Sequence, residues 1–221
     1  MKKLLITTIA TLAMTGVSYA GSFGVGASGS YALVEATGTE TTGAGTNGTA
    51  NTHRDAVEEN AMIGSIFVDY EMDNGFVIGF SHVPGSADVS DKTHSRTETS
   101  EGVSGTDTTG SVTRTADAEV ENFNTLYVEV PVGSAFIKGG YAQIDVNTTE
   151  NALTGGGSYG NATLDGYTVG LGMNGSLGGL FTKTSVEYTD FESLSLSSST
   201  NNNISADLDV LEFKIAVGKR F

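Results

Sequence analysis

From Val210 to the end of the chain, Leu211, Phe213, Ile215 and Val217 alternate with Glu212, Lys214, Ala216 and Gly218. Alternation of period two predicts a β-strand with unlike faces, here one apolar and one carrying charges of both signs. The same period recurs along the chain. Phe23, Val25, Ala27, Tyr31 and Leu33 alternate with Gly24, Gly26, Ser28 and Ser30, and Met62, Ile66, Val68, Tyr70 and Met72 alternate with Ser65, Phe67, Asp69 and Glu71. A third strand sets Phe76, Ile78 and Phe80 against Val77, Gly79 and Ser81; a fourth sets Leu126, Val128 and Val130 against Phe123, Thr125, Tyr127 and Glu129. The fifth, over 135–146, sets Ile137 and Tyr141 against Lys138, which turns Phe136 to the inner face as well. Tyr167, Val169, Leu171 and Met173 mark the sixth. The seventh carries Thr182, Thr184, Val186 and Tyr188 opposite Lys183, Ser185 and Glu187, and the terminal strand is the eighth.

The connections fall into two classes. Asp73-Asn74-Gly75 is a tight hairpin signal, because Asn and Gly tolerate the positive φ such turns require. Turns after the fourth and sixth strands are short too. Polar Thr/Ser/Gly/Asn-rich segments at about 36–60, 85–117, 147–160 and 193–203 follow the first, third, fifth and seventh strands. Short connections at one end and long ones at the other predict an all-β fold, an eight-stranded antiparallel transmembrane β-barrel. A closed barrel is required if strands cross a bilayer, since every backbone group must be paired inside lipid. The chain shows no fixed-period repeat of the kind a solenoid needs.

Met1-Lys2-Lys3, an apolar run from Leu4 to Val17 and the small residues of Ser18-Tyr19-Ala20 predict a cleaved signal peptide over 1–20 and a single barrel domain over 21–221. The run is shorter than the ~20 apolar residues a membrane helix takes. Export without any Cys leaves stability to the sheet rather than to disulfides. Loss of Lys2 and Lys3 lowers the net charge from −15 to −17, which argues against nucleic acid as a partner.

The placement of the basic residues tests the face assignment. Arg54, Lys92, Arg96 and Arg114 fall in predicted loops, and Lys138, Lys183, Lys214 and Arg220 on inner faces. Lys219 alone points outward, close enough to the chain end to reach the aqueous interface. A Lys or Arg in the middle of the lipid face would cost ~2–4 kcal/mol, and none lands there. Eight strands leave an interior just wide enough for side chains to fill. Asp69, Glu71, Glu129, Glu187 and Glu212 therefore have Lys138, Lys183, Lys214 and Arg220 as candidate partners in a structural lumen network, and Glu129 and Lys138, read as diagonal across their hairpin, are placed to pair within the sheet.

Several stretches resemble the small outer-membrane barrels of Gram-negative bacteria, the opacity-type, OmpA-like and OmpX-like proteins. They are Ile137-Lys138-Gly139-Gly140-Tyr141, the run from Asp165 to Gly172, Val186-Glu187-Tyr188-Thr189-Asp190-Phe191, and Val217-Gly218-Lys219-Arg220-Phe221. The resemblance implies location in the outer membrane, contact with its lipid, and a terminal aromatic, Phe221, read by the barrel assembly machinery. Lys219 stands where such proteins usually carry a second aromatic.

For function, the expectation is a monomeric surface protein without cofactor, catalytic residue or metal, whose long loops meet an extracellular partner in adhesion, phage or host contact. The alternative is a narrow channel for small solutes or hydrophobic compounds. A lipid-modifying enzyme is a remote third reading: Ser81-His82 is its only foothold, and nothing around that pair matches such an enzyme. His53 and His94 lie in long loops. The loop carboxylates, from Asp55 and Glu58 to Asp117, lack the spacing of a calcium motif and read as a solvated, repulsive surface.

Overall fold

The computed structural model describes residues 21–41, 52–88, 94–99, 111–150, 159–198 and 203–221. The predicted signal peptide and the tips of the predicted loops lie outside these residues, as do the side chains of His53 and His94. The strands in chain order are β1 (Gly21–Thr41), β2 (Thr52–Met72), β3 (Val77–His82), β4 (Ser86–Asp88), β5 (His94–Thr99), β6 (Ser111–Val132), β7 (Ala135–Glu150), β8 (Ala162–Leu177), β9 (Leu180–Phe191), β10 (Leu194–Ser197) and β11 (Asn203–Arg220). Eight of them, β1-β2-β3-β6-β7-β8-β9-β11, form a ring of antiparallel neighbours that closes where β11 pairs with β1, from Gly24↔Arg220 to Thr41↔Asn203. The fold class is the one the alternation predicts.

Three tight turns close one end of the ring. Gly75, Gly133, Gly178 and Gly179 hold positive φ there, the left-handed region that side chains with a Cβ avoid. At the other end the strands run further than expected. β1 and β2 stay paired through 36–41 and 52–57, and β6 and β7 through 116–119 and 147–150, of which all but 118–119 lie within segments read from the sequence as loop. Thr, Asp, Glu and Asn dominate these stretches and suit strands that leave the membrane and meet water on the outer face, while the few apolar residues, such as Ala36 and Ala118, are too small and sparse to mark a strand by periodicity.

Two breaks interrupt the upper wall. Val83-Pro84-Gly85 ends β3: Pro84 has no N–H to donate to a ladder, and Gly85 sits at φ 97°. Beyond the Ile66↔His82 pair, the chain continues as β4 and β5 beside β6, and among the described residues no ladder joins them to β2. On the far side, β8–β9 pairing stops at Gly166↔Phe191 and β10 turns to pair with β11. The upper half is thus two wings, β10-β11-β1-β2 and β4/β5-β6-β7-β8, facing each other.

A β-bulge in β6 keeps both halves of that strand in phase with the interior. The register with β7 shifts between Glu121 and Asn124, and Asn122 takes φ 56°. One extra residue reverses the alternation, so Ala118 and Val120 above and Phe123, Thr125, Tyr127 and Glu129 below all face inward.

Outside, large apolar residues are exposed all round the lower ring, including Leu171 at 65 % and Ile215 at 63 %. A belt of this extent on a protein in water would be far beyond the few hundred Å² a soluble surface carries. Facing hydrocarbon it is what a membrane barrel requires. Tyr31, Tyr141, Tyr167 and Tyr188 stand along its upper margin, where amphipathic rings favour an interface.

Candidate functional site

Inside, the barrel has two storeys. The lower one holds the nine charged residues singled out in the sequence. Lys183 reaches across the lumen from β9 to Asp69 on β2 at 3.0 Å and to Glu129 on β6 at 2.6 Å. Lys138 meets Glu187 at 2.8 Å, and Lys214 meets Glu187 and Glu212, both at 3.0 Å. Arg220 bridges Asp69 and Glu71, each at 2.8 Å. Asp69, Glu129, Glu187 and Glu212 are all buried, and four cations balance them. Hydroxyls fill further acceptor sites, Ser30 Oγ donating to Glu212 at 2.6 Å and Ser185 Oγ to Glu187 at 2.8 Å. Glu71 lies at the mouth, more than a third exposed.

The expected Glu129–Lys138 pair does not form. The two residues are register partners on β6 and β7, yet each binds elsewhere. A glycine decides this. Lys138 and Glu187 both lie opposite Gly170 of β8, and without a side chain there the two meet across the intervening strand. Asp69 and Arg220 meet in the same way over Gly24 of β1, where an added Cβ would stand 2.2 Å from the Asp69 carboxylate.

Inward aromatics seal the remainder, and glycines again make the space. The Tyr127 ring lies over Gly79, and the Phe136 ring over Gly172; a Cβ at either glycine would approach the ring to 2.3 or 2.2 Å. Tyr127 offers its face to Lys138 Nζ, 4.2 Å from the ring centroid, and Phe181 faces Arg220, with 4.5 Å to its centroid. The void left among Ser28, Ser81, Tyr127 and the lysines is about 30 Å³. That holds one or two waters, with no room for a solute.

The upper storey is apolar, a departure from the expected polar lumen. Ala32, Ala142, Ile144, Val146, Leu164, Phe191, Leu208 and Val210 are buried together between the two wings. Ala61, Ile63, Ala118, Val120 and Phe123, which flank the break beside β2, pack against this cluster and are only partly buried.

On the outer face above the tyrosines, Glu58, Glu35, Asp209 and Asp190 stand in direct register on β2, β1, β11 and β9. Tyr188 Oη donates to Asp209 at 2.9 Å. The hydrogen bond with Asp209, followed by desolvation and the Asp209 charge, raises the Asp190 carboxyl above its ordinary range. Asp165 differs: hydrogen bonds from Tyr141 and Gln143 hold its carboxyl low. Strand register creates this acidic row, so no local motif in the sequence could have revealed it. Ser81 and His82 part company across the wall. Ser81 Oγ donates inward to Ser65 at 3.2 Å, while His82 Nδ1 lies outside, 2.8 Å from Asn124 Oδ1.

No family model matches the chain, and no curated protein matches it. Among solved structures it is similar to the outer membrane protein AlkL (14 % identity, 92 % of each chain, TM-score 0.45). It is similar as well to Ail, the attachment invasion locus protein of Yersinia pestis (11 % identity, 87 % of this chain and 98 % of that one, TM-score 0.40). A third is Neisserial surface protein A (10 % identity, 91 % and 99 %, TM-score 0.39).

Proposed function

We propose that this chain is an outer-membrane barrel whose work is done at its extracellular end, as a surface protein that binds a partner through the wings and the loops they carry. The observation behind this reading is the closed lower lumen: four buried carboxylates, met by Lys138, Lys183, Lys214 and Arg220, bridge it from wall to wall. A conduit for ions or polar solutes needs that space. The strands also run well past the apolar belt, building a paired platform with an acidic outer row, which favours a partner with basic groups.

Strand pairing defines a clean deletion. Removing residues 89–116 takes out β5 and the first six residues of β6, with one ring pair, Ala116↔Glu150, and leaves Ser86–Asp88 paired with Glu119–Glu121 and the rest of the ring in place. The variant should fold and insert as wild type does and lose binding to whichever cells or phage the intact protein recognises. Full binding by the variant would sink the loop reading.

One observation favours a second reading, passage of an apolar compound. The partly buried Ala61, Ile63, Val120 and Phe123 line a break in the wall above the charged plug. Uptake of an apolar dye by liposomes carrying the protein, absent when that break is bridged by an engineered disulfide, would support it over surface binding.

A further inference from the structure

Thr182 and Thr184 are out of place on the lipid-facing wall of β9. In register, Thr184 lies between Met173 of β8 and Ile215 of β11, and Thr182 between Gly175 and Val217. Thr184, short between long neighbours, lines a trough bounded one row higher by Leu171, Val186 and Phe213, and Thr182 lies one row below it. Its volume is about 720 Å³, and apolar atoms make up most of its lining. A barrel wall is otherwise convex, and a hollow of this size in hydrocarbon fills with something. Among the described residues neither threonine hydroxyl has a hydrogen-bond partner, and a hydroxyl in hydrocarbon is costly without one.

The trough crosses the wall from Ala135 and Ile137 of β7 to Ile215 of β11, and Lys219 lies further down β11, below that edge. Lys138, Lys183, Lys214 and Arg220 are all committed to the lumen, so Lys219 is the sole outward-facing cation of the lower ring among the described residues. Its contact is the face of Phe221, 5.3 Å from Nζ to the centroid, and no ion pair reaches it among the described residues. Four residues of strand separate it from Ile215, roughly 13 Å at 3.3 Å per residue. That is the span from a phospholipid's phosphate, past its ester groups, to the upper part of an acyl chain.

We propose that this face is a docking site for one anionic glycerophospholipid of the periplasmic leaflet. Its headgroup phosphate lies on Lys219, its ester carbonyls lie level with the Thr182 hydroxyl, and one acyl chain fills the trough along Thr184. Charge complementarity selects a lipid over a second copy of the chain: Lys219 on an apposed copy would face Lys219. The site rests on the membrane reading of the belt and on nothing at the extracellular end.

The test is native mass spectrometry of the full chain released from detergent micelles, titrated with phosphatidylglycerol or phosphatidylcholine of matched acyl chains. Wild type should retain one phosphatidylglycerol about fivefold more strongly than phosphatidylcholine, the factor one basic residue contributes at an anionic surface. Lys219→Gln should bring the two lipids level, and Lys219→Arg should restore the preference. Thr184→Leu, which fills the trough, should weaken retention of both by about tenfold, the loss of roughly two methylenes of contact. Equal retention of both lipids by wild type, an unchanged preference in Lys219→Gln, unchanged retention in Thr184→Leu, or a lipid-free dimer would each overturn the proposal. Heat-modifiable gel mobility reports folding of every variant, and the wild-type contrast decides even if one variant misfolds. A chain that stays soluble without detergent would instead refute the membrane reading itself.

Discussion

Glu187 accepts from Lys138 at 2.8 Å, Lys214 at 3.0 Å and Ser185 at 2.8 Å, all within the closed lower lumen. Replacing it with Gln leaves the buried Lys138 without a carboxylate partner and Lys214 with Glu212 alone, in a space with room for only one or two waters. Glu187→Gln should therefore cost ~3–5 kcal/mol, read as a lower guanidinium midpoint in micelles. Lys138→Met added to it should return part of the loss. A change below about 1 kcal/mol would mean that Glu187 is solvated after all. Asp190 behaves in the opposite sense. Its carboxyl is raised in the folded protein by Asp209, so the folded state holds that proton more tightly than the unfolded chain does. The stabilisation is complete below the unfolded value of about 3.9 and is lost as pH rises through the higher folded value. Amide exchange at the top of β9 and β11 should accordingly quicken across the mildly acidic range, and Asp190→Asn should flatten that dependence. The identities of the lumen residues could be read from alternation and charge sign. Their partners could not, because Gly24 and Gly170 route the ion pairs across a strand and only the assembled ring shows which side chains face which gap.

At the scale of elements, the hairpins obey rules visible in the sequence and the wings do not. Asp73-Asn74-Gly75 announces its turn by residue type, and Gly75 has the positive φ that the turn requires. The break between β2 and β4 has a local cause too, in Pro84 and Gly85, but its effect is remote: it frees the edge of a strand some twenty residues earlier in the chain. Substituting Pro84→Val together with Gly85→Thr should let β3 continue along β2. Amide exchange from Met62 to Ser65 should then slow markedly in micelles. Unchanged exchange would show that something other than this dipeptide holds the wings apart. The Asn122 bulge is a similar case. Ala118 and Val120 fall out of phase with the inward Phe123, Thr125 and Tyr127, which from sequence alone reads as the end of a strand rather than as one strand with an extra residue.

For the whole molecule, a plugged lower storey beneath an apolar upper storey sets what the barrel can transmit. Planar bilayers containing the protein should show no steady, resolvable conductance steps in salt. Such steps in wild type would mean that the ion-pair network opens, and the surface-protein reading would lose its main support. The two storeys divide the sources of stability as well. Below, hydrogen bonds and ion pairs satisfy buried charge without adding much net free energy; above, burial of Ile144, Val146, Leu164 and Leu208 contributes as it does in a soluble sandwich.

By itself the sequence determined that the chain is a closed antiparallel barrel, which residues of the lower half face lipid and which face inward, and at which end the long connections gather. These follow from a period of two, from turn residues with special backbone needs, and from the cost of placing charge in hydrocarbon. Tertiary structure alone decided the rest. The length of the wings, the apolar upper interior, the acidic row on β2, β1, β11 and β9, and the trough above Lys219 all depend on register between strands distant in the chain. Each local stretch reads as polar, apolar or alternating, and only pairing sets its residues beside one another.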